Sequence, residues 1–259
     1  MVAAAVDAVT SFVTASDASA QAFKTATLLK TLSINALISG EVGVGKKSLA
    51  RYILPDASIV DASNFNELLI LLETTDSIII TNLEKSPNIG VILDSIKKSD
   101  IRVIATSKVE LSSSDIDEVF TLKFDIPSLS QRSEDVELLI EQFTQEASLL
   151  FGANETFDSK NLIPDLSKNA ITLKRQVMFA YLMQDIQENE LIDIIQNYLY
   201  DKLGSNSDYR NFLHLYEAPL INAGLSRFKS QLQLSDKLGL NRNTLRKKIA
   251  ENKKYIKGK

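Results

Sequence analysis

Gly40-Glu41-Val42-Gly43-Val44-Gly45-Lys46 is a glycine-rich turn closed by a lysine, at the spacing with which a P-loop cradles phosphate. The glycines let the backbone curl until successive N–H groups face an anion. A following helix N-terminus adds partial positive charge, and the lysine reaches the outer phosphate oxygens. Gly40, Gly43, Gly45, Lys46 and Lys47 are therefore the candidate nucleotide-binding residues. A strand-to-helix turn kept for packing is the competing reading of the same glycines. Where a standard P-loop places Ser or Thr to hold Mg²⁺, this chain has Lys47, and Ser48 comes one residue late. Hydrolysis also needs an acidic residue at the end of a hydrophobic strand. Here Ser77-Ile78-Ile79-Ile80 runs into Thr81-Asn82, and neither side chain can act as a base. Glu84 reads as a surface carboxylate. No catalytic residue and no metal site is assigned.

The second cluster is basic. Between Leu225 and Lys259 stand eleven Lys and Arg against Asp236 and Glu251, leaving 18 basic and 31 acidic residues in the rest, a net −13. A compact positive segment on an acidic body suits a polyanion, although the last six residues, from Lys254, read as a solvated tail. Leu232, Leu234 and Leu238 predict a helix stopped by Gly239, and Asn241 is a good N-cap for a second one. Leu240, Leu245 and Ile249 would pack inward and turn Arg242, Asn243, Thr244, Arg246 and Lys247 outward. Arg and Asn can read base edges in a major groove, while Thr and Lys can hold phosphates. With Asn241 and Lys248 these are the candidate DNA-binding residues.

Short apolar strand patterns position the first cluster: 34–38, 58–60, 77–80, 101–105 and 119–124. They alternate with helical patterns at 19–32, 65–73 and 89–98, which predicts a parallel sheet covered on both faces. From Glu134 to about Gly204 only helical patterns remain, at 134–151, 171–187 and 188–203, and Gly204-Ser205-Asn206-Ser207-Asp208 is a linker candidate. The 259 residues include no Cys and one His, His214, which argues against thiol, Ser-His-Asp and His-ligated metal chemistry. No apolar run is long enough for a membrane span. Met1 to Val13 lacks a basic flank and carries Asp7, so it reads poorly as a secretory signal. A cytoplasmic protein is expected.

Leu238-Gly239-Leu240-Asn241-Arg242-Asn243-Thr244-Leu245-Arg246-Lys247-Lys248, with the upstream helix from Phe212 to Ile221, resembles the Fis-type DNA-binding domain over about Asp208–Lys254. The resemblance implies a homodimer formed through the upstream helix and a final helix laid in the major groove. His214 is then a packing or surface residue. The body more distantly resembles the AAA+ domain of NtrC-like bacterial enhancer-binding activators, which carry the same C-terminal module. The carriers of that likeness are Ile38 to Lys47, a sensor strand Ile101 to Ser107, and Ile126 to Val136 leading into a helical lid. The expected fold class is an α/β P-loop, AAA+-like parallel sheet core over 1–127, an all-α lid subdomain over 128–204, and an all-α Fis-like helix-turn-helix over 205–259.

Departures from the family set the functional expectation. Its acidic pair falls on Thr81-Asn82, its polar sensor on Lys108 and its second-sensor arginine on Thr172, and Ser112 to Glu118 holds no arginine finger. The stretch from Ser58 to Ile78 leaves no room for the sigma-contact loop, nor do the 39 residues before Gly40 for a receiver domain. The expectation is a sequence-specific regulator of transcription, bound to double-stranded DNA as a homodimer, with an AAA+ body that does not hydrolyse ATP. No membrane partner is expected. The body would serve oligomerisation, contact with RNA polymerase or another regulator, or ligand control. No cofactor is required, but ATP, ADP or a cyclic dinucleotide could bind. Two alternatives stay open: an ATP-hydrolysing activator of alternative-sigma-factor transcription, and a non-hydrolysing nucleotide or cyclic-dinucleotide sensor.

Overall fold

The computed structural model describes residues 12–152, 157–159, 162–228 and 230–256. The stretch 1–11, tested above for signal character, and Lys229, Lys257 and Lys259 of the basic tail lie outside them. Contacts divide the chain into two compact units, one ending at Asp185 and one beginning at Ile186. The cut falls inside the 128–204 span that the sequence reading takes as one lid.

The first unit is built on five parallel strands: β1 (Ala36–Ser39), β2 (Ser58–Asp61), β3 (Ser77–Thr81), β4 (Arg102–Thr106) and β5 (Leu122–Asp125), in the order β2-β3-β4-β1-β5. Alternation along each strand feeds two cores. Leu37, Ile78, Ile80, Val103 and Ala105 face the helices α3 (Phe65–Thr74), α4 (Ile89–Lys98) and α5 (Ser114–Val119). Ala36, Ile38, Ile79 and Ile104 face α1 (Asp17–Thr31) and α2 (Lys46–Ile53). Ala22, Ala26 and Leu29 supply the α1 stripe at helical spacing, and the Ser16 side chain caps that helix on the Ser19 N–H. Each fully buried Ile or Leu contributes about 1.5–3 kcal/mol before entropy is charged against it.

The expected strand 119–124 begins late. Ser113 caps α5 by accepting from the Ile116 N–H, Asp115 and Asp117 favour its first turn, and Val119 and Phe120 are buried at its end. β5 therefore starts only at Leu122. Local capping overrides the β-branched and aromatic preference of Val119-Phe120. Two helices follow, α6 (Ser133–Phe151) and α7 (Ala170–Met183), joined by a core of Leu129, Val136, Ile140, Phe143, Leu173 and Val177.

The second unit holds α8 (Glu188–Tyr200), α9 (Asp208–Phe212), α10 (His214–Phe228), α11 (Gln231–Lys237) and α12 (Arg242–Glu251). The linker candidate is a turn organised by Asp208, whose carboxylate accepts from the N–H groups of Gly204 at 2.7 Å and Ser205 at 2.9 Å. The upstream helix expected over 212–221 is divided at Leu213 between α9 and α10. Ile221, Leu234 and Leu245 form the small core of α10, α11 and α12, flanked by Leu225, Phe228, Leu238, Ile249 and Ile256. Gly224 is what admits Leu234, since a Cβ there would stand 2.3 Å from a Leu234 methyl. Among the described residues no helix is long and apolar enough to cross a membrane.

Candidate functional site

The P-loop turn leaves the carboxyl end of β1, between β4 and β5, where the strand order reverses and open α/β sheets bind ligands. Gly40, Gly43 and Gly45 all have positive φ, and α2 starts at Lys46. The N–H groups of Val44, Gly45, Lys46 and Lys47 donate to no acceptor among the described residues. They leave unsatisfied donors at a helix N-terminus, an arrangement that can receive an anion. The Lys46 ammonium folds onto the carbonyls of Gly40 and Glu41, at 2.6 Å from the latter. Desolvation lowers its pKa, the carboxylates of Glu84, Asp125 and Glu41 pull it back up, and Lys108 adds to the lowering.

A cleft of about 580 Å³ opens over this nest, within the usual range for small-molecule sites. Gly43, Gly45, Lys46, Lys47 and Ser48 line its floor, Phe12, Val13, Leu139, Phe143 and Ile171 its apolar side, and Asp61, Thr81, Asn82 and Thr106 the strand-end side. Of the predicted nucleotide-binding residues, all but Gly40 line it directly.

Several groups that build the cleft were not legible in sequence. Arg132, 2% exposed, donates from Nη2 to the Val44 carbonyl at 3.0 Å and from Nη1 to Asp135 at 3.2 Å. Burial lowers its pKa, and Asp135 opposes that shift. Asp135, fully buried, also accepts from the N–H groups of Ala15 and Ser16 and the hydroxyls of Ser16 and Ser19, at 2.8 to 3.1 Å. This network ties the P-loop to the start of α6 and the cap of α1. On the lid side, Asn169 donates to the Glu41 carboxylate and the Val42 carbonyl, both at 3.0 Å, and accepts from the Leu129 N–H at 2.7 Å. The Ala170 N–H reaches the Gly43 carbonyl at 3.1 Å. The Lys168 carbonyl lies so close that a Cβ on Gly43 would meet it at 2.3 Å.

Asn169 holds this clamp at φ 51°, ψ −133°, a costly conformation for a residue with a Cβ. Asn169→Ala keeps that backbone cost and orphans the buried Leu129 N–H. It is expected to destabilise the first unit by about 2–3 kcal/mol, read as a lowered urea midpoint with unchanged slope. A change below about 0.5 kcal/mol removes Asn169 from the clamp.

At the strand ends, Thr81 and Asn82 are joined by a carboxylate from the neighbouring strand β2. Asn82, at φ 54°, donates its side-chain amide to Asp61 at 2.5 Å and its N–H to the Thr106 hydroxyl at 3.3 Å. Burial would raise the Asp61 pKa, but hydrogen bonds from Ser63 and Asn82, and Lys85 nearby, hold it below the ordinary value. Glu84 is not the surface carboxylate expected from sequence. It is half-buried, and its Oε2 is shielded from water without a hydrogen-bond partner. Thr172 is buried and spends its hydroxyl on the Asp165 carbonyl at 2.7 Å. The cation that α7 brings to the cleft is Lys174, two residues on, held 2.5 Å from Glu146. The Mg²⁺ that a P-loop site of this fold ordinarily takes does not fit these residues. Its two protein positions carry Lys47 and Thr81, and among the described residues no three His, Asp or Glu side chains converge.

In the second unit, Asn241 caps α12 by accepting from the Thr244 N–H at 2.9 Å, and Leu245 is buried. Arg242, Asn243, Thr244, Arg246 and Lys247 are exposed along one helix, with Lys247 3.9 Å from Glu251. Lys248 turns inward, its ammonium bound to Glu217 of α10, whose other oxygen accepts from Asn252 at 3.1 Å. His214 stacks on Tyr255 with ring centroids 4.4 Å apart.

Five parallel strands in this order, the P-loop after β1 and the two-helix lid after β5 define an AAA+-type P-loop fold. No protein-family model and no curated protein matches the chain. Among solved structures, NtrX from Brucella abortus in complex with ATP is similar at a TM-score of 0.59 and 15% identity, over 93% of this chain and 69% of that one. NtrX in complex with ADP gives 0.57 and 15%, over 92% and 68%. A third NtrX structure gives 0.58 and 17%, over 93% and 69%. At these identities the likeness is one of fold.

Proposed function

We propose that the chain is a sequence-specific DNA-binding regulator of transcription whose AAA+-type body holds a nucleotide without hydrolysing it. The observation that carries the DNA-binding half is α12: capped by Asn241, anchored by Leu245 and Lys248, and presenting Arg242, Asn243, Thr244, Arg246 and Lys247 on one exposed basic face behind a tight turn at Gly239. A helix-turn-helix places such a helix in the major groove, where Arg and Asn read base edges and Lys and Thr hold phosphates. Selection of bound duplexes from a random-sequence pool tests it. The expected result is enrichment of a dyad-related motif, and retention of duplex without enrichment overturns sequence specificity.

The dimer expected through the upstream helix over 212–221 could also use α8, which lies outside that helix. Leu191, Ile194, Ile195 and Tyr198 recur at helical spacing, and all are more than a third exposed; a helix face of this kind needs a partner surface. Ile194→Asp with Ile195→Asp is expected to shift the full chain from dimer to monomer in sedimentation equilibrium. A wild-type monomer at micromolar concentration ends the dimer proposal.

The nucleotide half rests on the free N–H groups over Val44 to Lys47 and the cleft above them. Absence of hydrolysis rests on Thr81 and Asn82 and on an Asp61 carboxylate whose oxygens are already engaged by Ser63 and Asn82. ATP turnover, assayed with DNA present, is expected to be nil. Turnover abolished by Lys46→Ala establishes instead the hydrolysing activator.

A further inference from the structure

We propose that this cleft takes a nucleoside di- or triphosphate free of metal, with Lys47 and Lys108 supplying the charge that a magnesium ion supplies in an ordinary P-loop site. The inference rests on the nucleotide reading above and specifies the form of the ligand.

Three observations converge on it. The position after the P-loop lysine, from which a hydroxyl would coordinate the ion, is Lys47, and this residue lines the cleft. A cation there does the opposite of a metal ligand: it repels the ion and attracts the phosphates directly. Among the strand-end residues that line the cleft, none is an open carboxylate. Thr81 gives a neutral hydroxyl, Asn82 a neutral amide, and Asp61 accepts from the Ser63 N–H at 3.0 Å and from its hydroxyl at 2.6 Å on one oxygen, and from Asn82 at 2.5 Å on the other. A hard divalent cation would have to break that arrangement to gain one carboxylate.

The third observation is Lys108. It follows β4 two residues after Thr106, which lines the cleft, and it lies near enough to Lys46 to repel its ammonium. Lys46, Lys47 and Lys108 together carry the formal +3 that one lysine and one magnesium ion bring elsewhere. Arg132 strengthens the anion reading: it lines the same cleft, is 2% exposed, and its Nε has no acceptor.

The test is calorimetric titration of the full-length protein with ADP and with ATP, once in excess EDTA and once in millimolar Mg²⁺. Dissociation constants agreeing within about twofold, each weakened about tenfold in EDTA by Lys47→Gln or Lys108→Gln but not by Lys24→Gln on the exposed face of α1, are expected. Binding at least about tenfold tighter with Mg²⁺ than in EDTA overturns this inference and leaves the nucleotide reading standing. Equal affinities that neither Lys47→Gln nor Lys108→Gln lowers also overturn it. No heat and no binding under either condition overturns both. Circular dichroism of the variants, expected to match wild type because both lysines are exposed, separates lost affinity from lost fold.

Discussion

Asp135→Ala is expected to lower the stability of the first unit by about 3–5 kcal/mol, a large share of the roughly 5–15 kcal/mol typical of a folded domain. The size follows from what is left behind. Arg132 would keep its charge with 2% exposure, only the Val44 carbonyl as a partner and Nε already unpaired. The N–H groups of Ala15 and Ser16 and the hydroxyl of Ser19 would lose an acceptor at the same moment. Removing both charges should hurt less than removing one, because a buried pair replaced by apolar groups of similar volume is often tolerated. A cycle of Asp135→Leu, Arg132→Met and the double variant is therefore expected to show coupling of at least about 1 kcal/mol in favour of the double, read from urea midpoints. Additive losses would mean that the two residues act separately. Since Arg132 also fixes the Val44 carbonyl inside the P-loop, the single variants should weaken nucleotide binding even where the fold survives.

That network explains why the cleft was only half readable from the chain. The P-loop turn is local: three glycines and a lysine at fixed spacing determine its curl, and the structure gives positive φ at each of the three glycines. The strands were equally legible, because Ile78-Ile79-Ile80 must bury both faces and only a covered sheet does so. Asp135, by contrast, sits in Ser133-Glu134-Asp135, which reads as an ordinary acidic first turn of a helix. Apart from Arg132, its partners lie 116 to 120 residues away. Asp61 reaches Asn82 only because β2 and β3 are neighbours in register, Asp61 opposite Thr81. The Asn169 clamp likewise joins positions 128 residues apart. Periodicity carries burial, not which polar groups meet inside. The strand predicted from Val119 failed for the reverse reason: Ser113 and its following acids settle the local structure before β preference counts. In the second unit the turn at Gly239 and the cap at Asn241 were legible, while the inward turn of Lys248 was not, since its counter-ion Glu217 comes from another helix.

Arg242→Ala with Arg246→Ala is expected to have the largest effect on the DNA-binding reading. If each arginine contacts a base or a phosphate, each loss costs about 1–3 kcal/mol, so the pair should weaken binding to a selected site by about 30-fold to well over a thousandfold. Salt separates the roles. A phosphate contact removed lowers the slope of log affinity against log salt by about 0.9, whereas loss of a guanine contact leaves the slope in place and relaxes sequence preference at one position. Lys248→Ala provides the contrast within the same helix. Its ammonium is committed to Glu217, whose carboxylate is buried on α10, so removal should lower the stability of the second unit while leaving the salt slope unchanged. Affinity of the double arginine variant within about twofold of wild type would remove the outer face of α12 from the interface. A slope that falls equally for Lys248→Ala would mean that the Glu217 pair opens on DNA, making α12 a helix whose inner lysine is exchanged between carboxylate and phosphate.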